Sequence, residues 1–142
     1  MKYDIVSERT APTYRISAPA DIYGALKKYA CARTERFLCA TLNGAHEVIK
    51  VHIISIGLIN RTVVHPREVF YPAIIDGAVA LIISHNHPSN RLDPSPEDRE
   101  ITRRLHDASE VLGITLLDHV IIGRSGYYSF VEHGLLDPPK PD

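Results

Sequence analysis

The sequence carries only two cysteines, Cys31 and Cys39, and their spacing is not that of a close metal-binding pair. Free, buried thiols in a reducing compartment are the expectation for such a pair. No charge of one sign dominates. Lys and Arg number 16 against 17 for Asp and Glu, a formal net charge of −1, which gives no strong nucleic-acid signal. No stretch approaches the roughly 20 apolar residues needed to cross a bilayer. Met1-Lys2 leads into polar Tyr3-Asp4 rather than into the apolar centre of a signal peptide. The expected location is therefore cytoplasmic, with no membrane partner. Internal repeats, heptad runs and phosphate-cradling glycine loops are also missing. What remains is a chain of 142 residues, long enough for one domain whose core needs neither metal nor disulfide to form.

Its elements alternate in type. Residues 1–16 place Tyr3, Ile5, Tyr14 and Ile16 among polar neighbours, a pattern for edge strands or for an extended arm of the kind that permits a homodimer. Ser17 to about Ala32 reads as a helix capped by Ser17 or Asp21. Ile22, Ala25, Leu26 and Tyr29 share one face, and Lys27 and Lys28 face water. Thr34 to Leu42 is apolar on both faces, as in a central strand. Asn43-Gly44 predicts a tight turn into a partner strand over Glu47–Ile56. Arg61–Val64 is a further extended piece. His65-Pro66-Arg67-Glu68 opens a helix with Val69, Phe70, Ala73, Ile74 and Gly77 as its buried stripe and Pro72 inside it. Ala78–Ser84 is a buried strand.

Ser95 to about Leu112 is the longest helix, with Ile101, Leu105, Ala108 and Leu112 on one face and Gly113 as its C-cap. Ile114–Ile122 is another strand, Gly123 to Gly126 a turn, and Tyr127–Val131 a final short strand. The proline-rich residues 137–142 form a loose tail, leaving residues 17–136 as the folded domain. This order predicts an α/β sandwich, a mixed, antiparallel-leaning sheet with helices on its faces.

The chemistry gathers near the middle. His85 and His87 end the apolar run from Ala78 to Ile83, and i and i+2 side chains of a strand share a face. Pro88 then turns the chain out of the sheet. Ser95-Pro96-Glu97-Asp98 is a helix start in which Ser95 suits the N-cap and Pro96 the first helical position. Taken singly, His-x-His is common and Ser-Pro-Glu-Asp is an ordinary capping box. Together they place two imidazoles and a carboxylate where a strand end meets a helix start, a three-ligand set with one position left open, as in catalytic zinc sites. Asp93 is a rival carboxylate without the helix-start context. A deaminase-type site would need His-x-Glu and a later Pro-Cys-x-x-Cys, and the chain has neither.

His85-Asn86-His87-Pro88-Ser89 followed by Ser95-Pro96-Glu97-Asp98 resembles the His-x-His-x(10)-Asp signature of the JAB/MPN (JAMM) metalloproteases, and more narrowly their RadC-like branch. Glu35-Arg36-Phe37 with Leu42-Asn43, the stretch Val64-His65-Pro66-Arg67-Glu68-Val69-Phe70, and Ile114 to Gly123 are similar to that branch as well, so the likeness covers roughly residues 17–133. It implies a three-layer α-β-α sandwich of cytidine-deaminase-like architecture. It also implies zinc held by His85, His87 and Asp98, with Glu35 handling the proton of the attacking water and Ser95 helping to hold the tetrahedral intermediate.

His65, Arg67, Asp118 and His119 are the supporting positions. His65 and Arg67 either brace a turn or meet a carboxylate, whereas Asp118 and His119, adjacent in a strand, cannot both face the site. The implied activity is zinc-dependent hydrolysis of a peptide or isopeptide bond in a peptide or protein substrate. The alternatives are a catalytically silent binding module and a DNA-repair accessory protein. Asn90 departs from the glycine usual after His-Pro-Ser in that branch, although asparagine tolerates left-handed backbone better than most residues. RadC-like chains commonly carry an N-terminal helix-hairpin-helix region as well, which these 142 residues are too short to include.

Overall fold

The computed structural model describes residues 14–57 and 64–139. Helix α1 spans Pro19–Leu26 and tightens into a 3-10 turn over Lys27–Cys31. Strands β1 (Arg36–Leu42) and β2 (Val48–Ile56) form a hairpin. Helix α2 (Pro66–Ile75), strand β3 (Ala80–Asn86), helix α3 (Pro96–Leu112) and strands β4 (Thr115–Ile122) and β5 (Tyr127–Ser129) follow. The five strands make one sheet in the order β2-β1-β3-β4-β5. Only β3 and β4 are parallel, joined by the α3 crossover; the other neighbours are antiparallel.

Every residue of β3, and all of β1 after Arg36, is buried, as both faces of a central strand require. Alternation splits these residues between two cores. Phe37, Cys39, Leu81 and Ile83 pack with Val69, Phe70, Ile101 and Leu105 beneath α2 and α3. Leu38, Ala40, Ile82 and Val120 pack with Ile22 and Leu26 beneath α1. The result is a three-layer α-β-α sandwich, the architecture the sequence implied.

Several boundaries differ from the sequence reading. The first helix is shorter than Ser17–Ala32 because it begins at Pro19 with Ala18 as N-cap. Asp21, in its first turn, accepts from the backbone N–H groups of Ser17 and Ala18 at 2.8 and 3.0 Å. Tightening after Leu26 keeps Leu26 and Ala30 both buried while Lys27 and Lys28 stay exposed. In α2, Val69, Phe70 and Ala73 are buried, but Ile74 is 57% exposed; at about 100° per residue it lies beyond Phe70, off the stripe. Gly77 lies past the helix end at φ 67°. The last turn of α3 overruns the core, so Leu112 is exposed and Ser109 is buried instead.

The strand expected at Ala78–Ser84 runs two residues later, because Phe37 and Ile121 pair with His85, and Ile122 pairs with Asn86. That shift places His85 inside the sheet. The final strand stops at Ser129, where the chain turns. The predicted arm reduces, among described residues, to Tyr14–Ile16 lying along the start of β2 through an Arg15–Glu47 bridge. Residues 1–13, 58–63 and 140–142 lie outside the described residues, and with them most of the extended piece expected at Arg61–Val64.

Candidate metal centre

The site is built where the end of β3 meets the start of α3. His85 is wholly buried, and its ring stacks on Phe37 of β1 at 6.0 Å between centroids. Alternation turns the next residue, Asn86, to the opposite face. There its side-chain oxygen accepts from the Arg36 N–H at 2.7 Å, and its amide donates to the carbonyls of Ala32 and Thr34 at 3.3 and 3.2 Å. Asn86 thus staples the stretch that carries Glu35. His87 follows just past the strand. Across the gap, Ser95 caps α3. Its hydroxyl oxygen accepts from the Asp98 N–H at 3.0 Å, while an Asp98 carboxylate oxygen accepts from the Ser95 N–H at 2.8 Å. This capping box locks the Asp98 rotamer.

His85, His87 and Asp98 converge. The two imidazole Nε2 atoms are 2.9 Å apart. Each lies 3.2 Å from a carboxylate oxygen of Asp98, His85 from Oδ1 and His87 from Oδ2. Tetrahedral ligands at zinc–donor distances of about 2.0–2.1 Å would be separated by about 3.3 Å, so these spacings fit the ion.

The surrounding hydrogen bonds decide which atoms carry protons. The Thr102 hydroxyl donates to the Asp98 carbonyl at 2.7 Å. Its oxygen therefore accepts from His119 Nδ1–H at 2.6 Å. That tautomer leaves His119 Nε2 as the acceptor for His85 Nδ1–H at 2.8 Å, so His85 Nε2 bears a lone pair. His87 Nδ1–H donates to the Arg91 carbonyl at 2.6 Å, so its Nε2 also bears a lone pair. In that tautomer set two lone pairs and a carboxylate face one another, an arrangement that could hold a metal ion.

Without a metal, the electrostatics favour a proton on His87 beside the Asp98 carboxylate, the place a cation would take. Burial would raise the Asp98 pKa, but hydrogen bonds with His85, His87 and the Ser95 backbone hold it well below the ordinary carboxylate range. Burial opposes protonation of His87, yet hydrogen bonds with Asp98 and the Arg91 carbonyl, with the charges of Asp98 and Glu35, raise its pKa overall. Burial first, then the neighbouring His85, pushes His119 well below its usual value, consistent with a neutral ring.

Glu35 lies half-buried one residue before β1, close enough for its charge to act on His87. Ser95 is half-buried at the helix start beside Asp98. Of the four supporting positions, His119 contacts a candidate ligand directly. Its strand register, opposite Ile83, turns it toward α3, and Phe130 stacks on it at 4.5 Å. Asp118 faces the other side of the sheet, where it accepts from Ser129 Oγ and from the backbone N–H groups of His119 and Val131. His65 caps α2 by accepting from the Arg67 N–H at 3.2 Å. Arg67 is exposed beside Glu68, 3.6 Å away. Asp93 is exposed, and only Asp98 joins the two histidines among the described residues.

Three contributors escaped the sequence reading. Thr102 follows Asp98 by one helical turn, on the buried face of α3, a periodicity that was available to find it. Asn86 lies between two residues of one strand face and therefore belongs to the other face. Arg91 acts through its carbonyl, which leaves no mark in the sequence.

A family model described as a RadC-like JAB domain matches residues 16–135. A UPF0758 protein from Rubrobacter xylanophilus is 48% identical over 122 residues, covering 85% of this chain and 53% of the relative. Another from Trichlorobacter lovleyi is 47% identical over 123 residues, covering 86% and 54%. UPF0758 protein STH371 from Symbiobacterium thermophilum is 52% identical over 102 residues, covering 72% and 44%. The chain thus spans about half the length of the curated relatives it matches. Among the described residues, no helix is long and apolar enough to cross a membrane.

Proposed function

The chain belongs to the RadC-like JAB family, and on that premise we propose that it is a zinc-dependent hydrolase of an amide bond, either a peptide or an isopeptide. The observation that carries the reading is the meeting of the His85 and His87 lone pairs with the Asp98 carboxylate at 2.9–3.2 Å. Bound there, zinc would polarise the substrate carbonyl and acidify the attacking water.

The chain's own groups do the rest. Glu35 takes a proton from the water and returns it to the leaving nitrogen. Asn86 holds the backbone on both sides of Glu35, at Thr34 and Arg36, which limits its drift from the reacting atoms. Ser95 spends a lone pair on the Asp98 N–H. Its own O–H remains free to donate to the oxyanion that develops as water adds to the carbonyl. His119 and Thr102 keep His85 in the tautomer that a ligand needs.

A quenched-peptide library incubated with the zinc-loaded chain tests the proposal. Hydrolysis that stops with chelator, and that falls roughly 10²–10⁴-fold in Glu35→Gln without loss of zinc, supports it. Equal activity of Glu35→Gln would remove the proposed base. A zinc-loaded chain that binds peptides without cleaving any would favour a silent binding module.

A further inference from the structure

Asn90 sits three residues beyond His87 with φ at +62°, a conformation in which glycine is more at ease. Its side chain does what a glycine there could not. Oδ1 accepts from the Arg124 N–H at 2.8 Å, and Nδ2 donates to Ser125 Oγ at 3.4 Å. Both partners lie in the turn between β4 and β5. That turn is closed by a Gly123 N–H to Gly126 carbonyl bond of 2.8 Å, and it is held from behind by the Tyr23 hydroxyl of α1, which donates to the Gly123 carbonyl at 2.9 Å. The loop end of the contact leads to the metal centre, because the next residue, Arg91, supplies the carbonyl that fixes His87 Nδ1. Gly123 makes the approach feasible. A Cβ there would lie 2.6 Å from Asn90 Oδ1 and 2.8 Å from Leu92 Cδ2.

We propose that Asn90 is a positioning residue for His87. Its side chain latches the 87–92 loop to the β4–β5 turn, so the Arg91 carbonyl stays where it orients the imidazole. The proposal rests on the reading that the His85–His87–Asp98 cluster holds a metal. A residue that merely relieves or adds backbone strain acts on stability. This one acts on metal retention.

The test compares wild type, Asn90→Gly, Asn90→Asp and Gly123→Ala in the full chain. Three readouts are taken: amide hydrogen exchange at Arg124, zinc release to a chromophoric chelator, and the thermal midpoint without metal. Direct partners of metal ligands typically contribute 10–100-fold to affinity. For this more remote latch, Asn90→Gly should speed zinc release by up to about tenfold. It should also expose the Arg124 amide to exchange while leaving the metal-free midpoint level. Asn90→Asp keeps an acceptor for the Arg124 N–H and should restore both protection and retention. Gly123→Ala should speed release in wild type, but less in the Asn90→Gly background, where Oδ1 no longer stands in the way.

The idea is overturned by an Asn90→Gly variant that holds zinc as long as wild type, by zinc loss that merely tracks a lower midpoint, or by an unchanged Arg124 amide. Failure of wild type to bind zinc would instead refute the metal reading. Arg124 exchange, measured without metal, reports on the latch separately.

Discussion

Replacing Thr102 by valine removes one oxygen from behind the candidate metal centre and nearly nothing else. The side chain is buried at 3% exposure on α3, and valine preserves its branched shape. Two hydrogen bonds disappear, one to the Asp98 carbonyl and one from His119 Nδ1–H. The first carbonyl remains within a helix, but the His119 N–H is left buried and without an acceptor, a cost of about 1–3 kcal/mol. The ring can escape by moving its proton to Nε2. That nitrogen then donates to His85 Nδ1, the His85 proton shifts to Nε2, and the lone pair aimed at the cation is lost.

Both routes weaken metal binding, by an expected 10–100-fold, equivalent to roughly 1.4–2.7 kcal/mol. Thr102→Ser keeps the hydroxyl and should bind within about threefold of wild type, judged against the same second-shell range. Competition with a chromophoric chelator measures both variants, and circular dichroism checks their folds. The reasoning is refuted if folded Thr102→Val and Thr102→Ser hold zinc equally well.

Other consequences can be measured on the same protein. Asn86→Ala abandons three hydrogen bonds around the Glu35 stretch; it should lower stability by about 1–3 kcal/mol in denaturant titration and reduce hydrolysis more than zinc content, whereas unchanged hydrolysis would dissociate Glu35 placement from Asn86. The raised His87 pKa supplies stability to the metal-free fold below the unfolded value of 6.5, and that contribution is lost as pH rises through the folded value. The lowered Asp98 pKa contributes above 3.8 and is lost only as pH falls toward its folded value. Between these limits a proton competes with the cation, so the rise in thermal midpoint on adding zinc should be smaller at about pH 5.5 than at about pH 8; a rise independent of pH would contradict the assignment. Burial, then the charge of Asp76, pushes the Cys39 thiol up to about 12, while Cys31 is exposed. An aromatic disulfide reagent should therefore titrate Cys31 alone in the native chain and both thiols after unfolding, and equal native reactivity would be inconsistent with the burial of β1.

The sequence made the strands and long helices legible where one periodicity acted alone. The apolar alternation of Phe37 to Leu42 and the capping box at Ser95–Asp98 are local signals, and local physics settles them. The strand carrying His85 runs two residues later than its apolar run predicts, because its end is set by pairing with Phe37 and Ile122, residues about 48 and 36 positions away in the chain. Distance in sequence also hides the hydrogen-bond chain from Thr102 through His119 to His85. His119 was recognisable as half of an Asp-His pair, but only strand register shows that it faces α3 while Asp118 faces away. Asn90 stood out as a departure from glycine, whereas its bond to Arg124 depends on two turns meeting in space.

The central claim is that His85, His87 and Asp98 hold a metal ion, and elemental mass spectrometry of the purified, unsupplemented chain beside His87→Ala tests it most directly. The account predicts close to one zinc per wild-type chain and almost none in a variant whose circular dichroism stays native. A wild-type chain that carries no zinc and takes up none tightly on titration would contradict it.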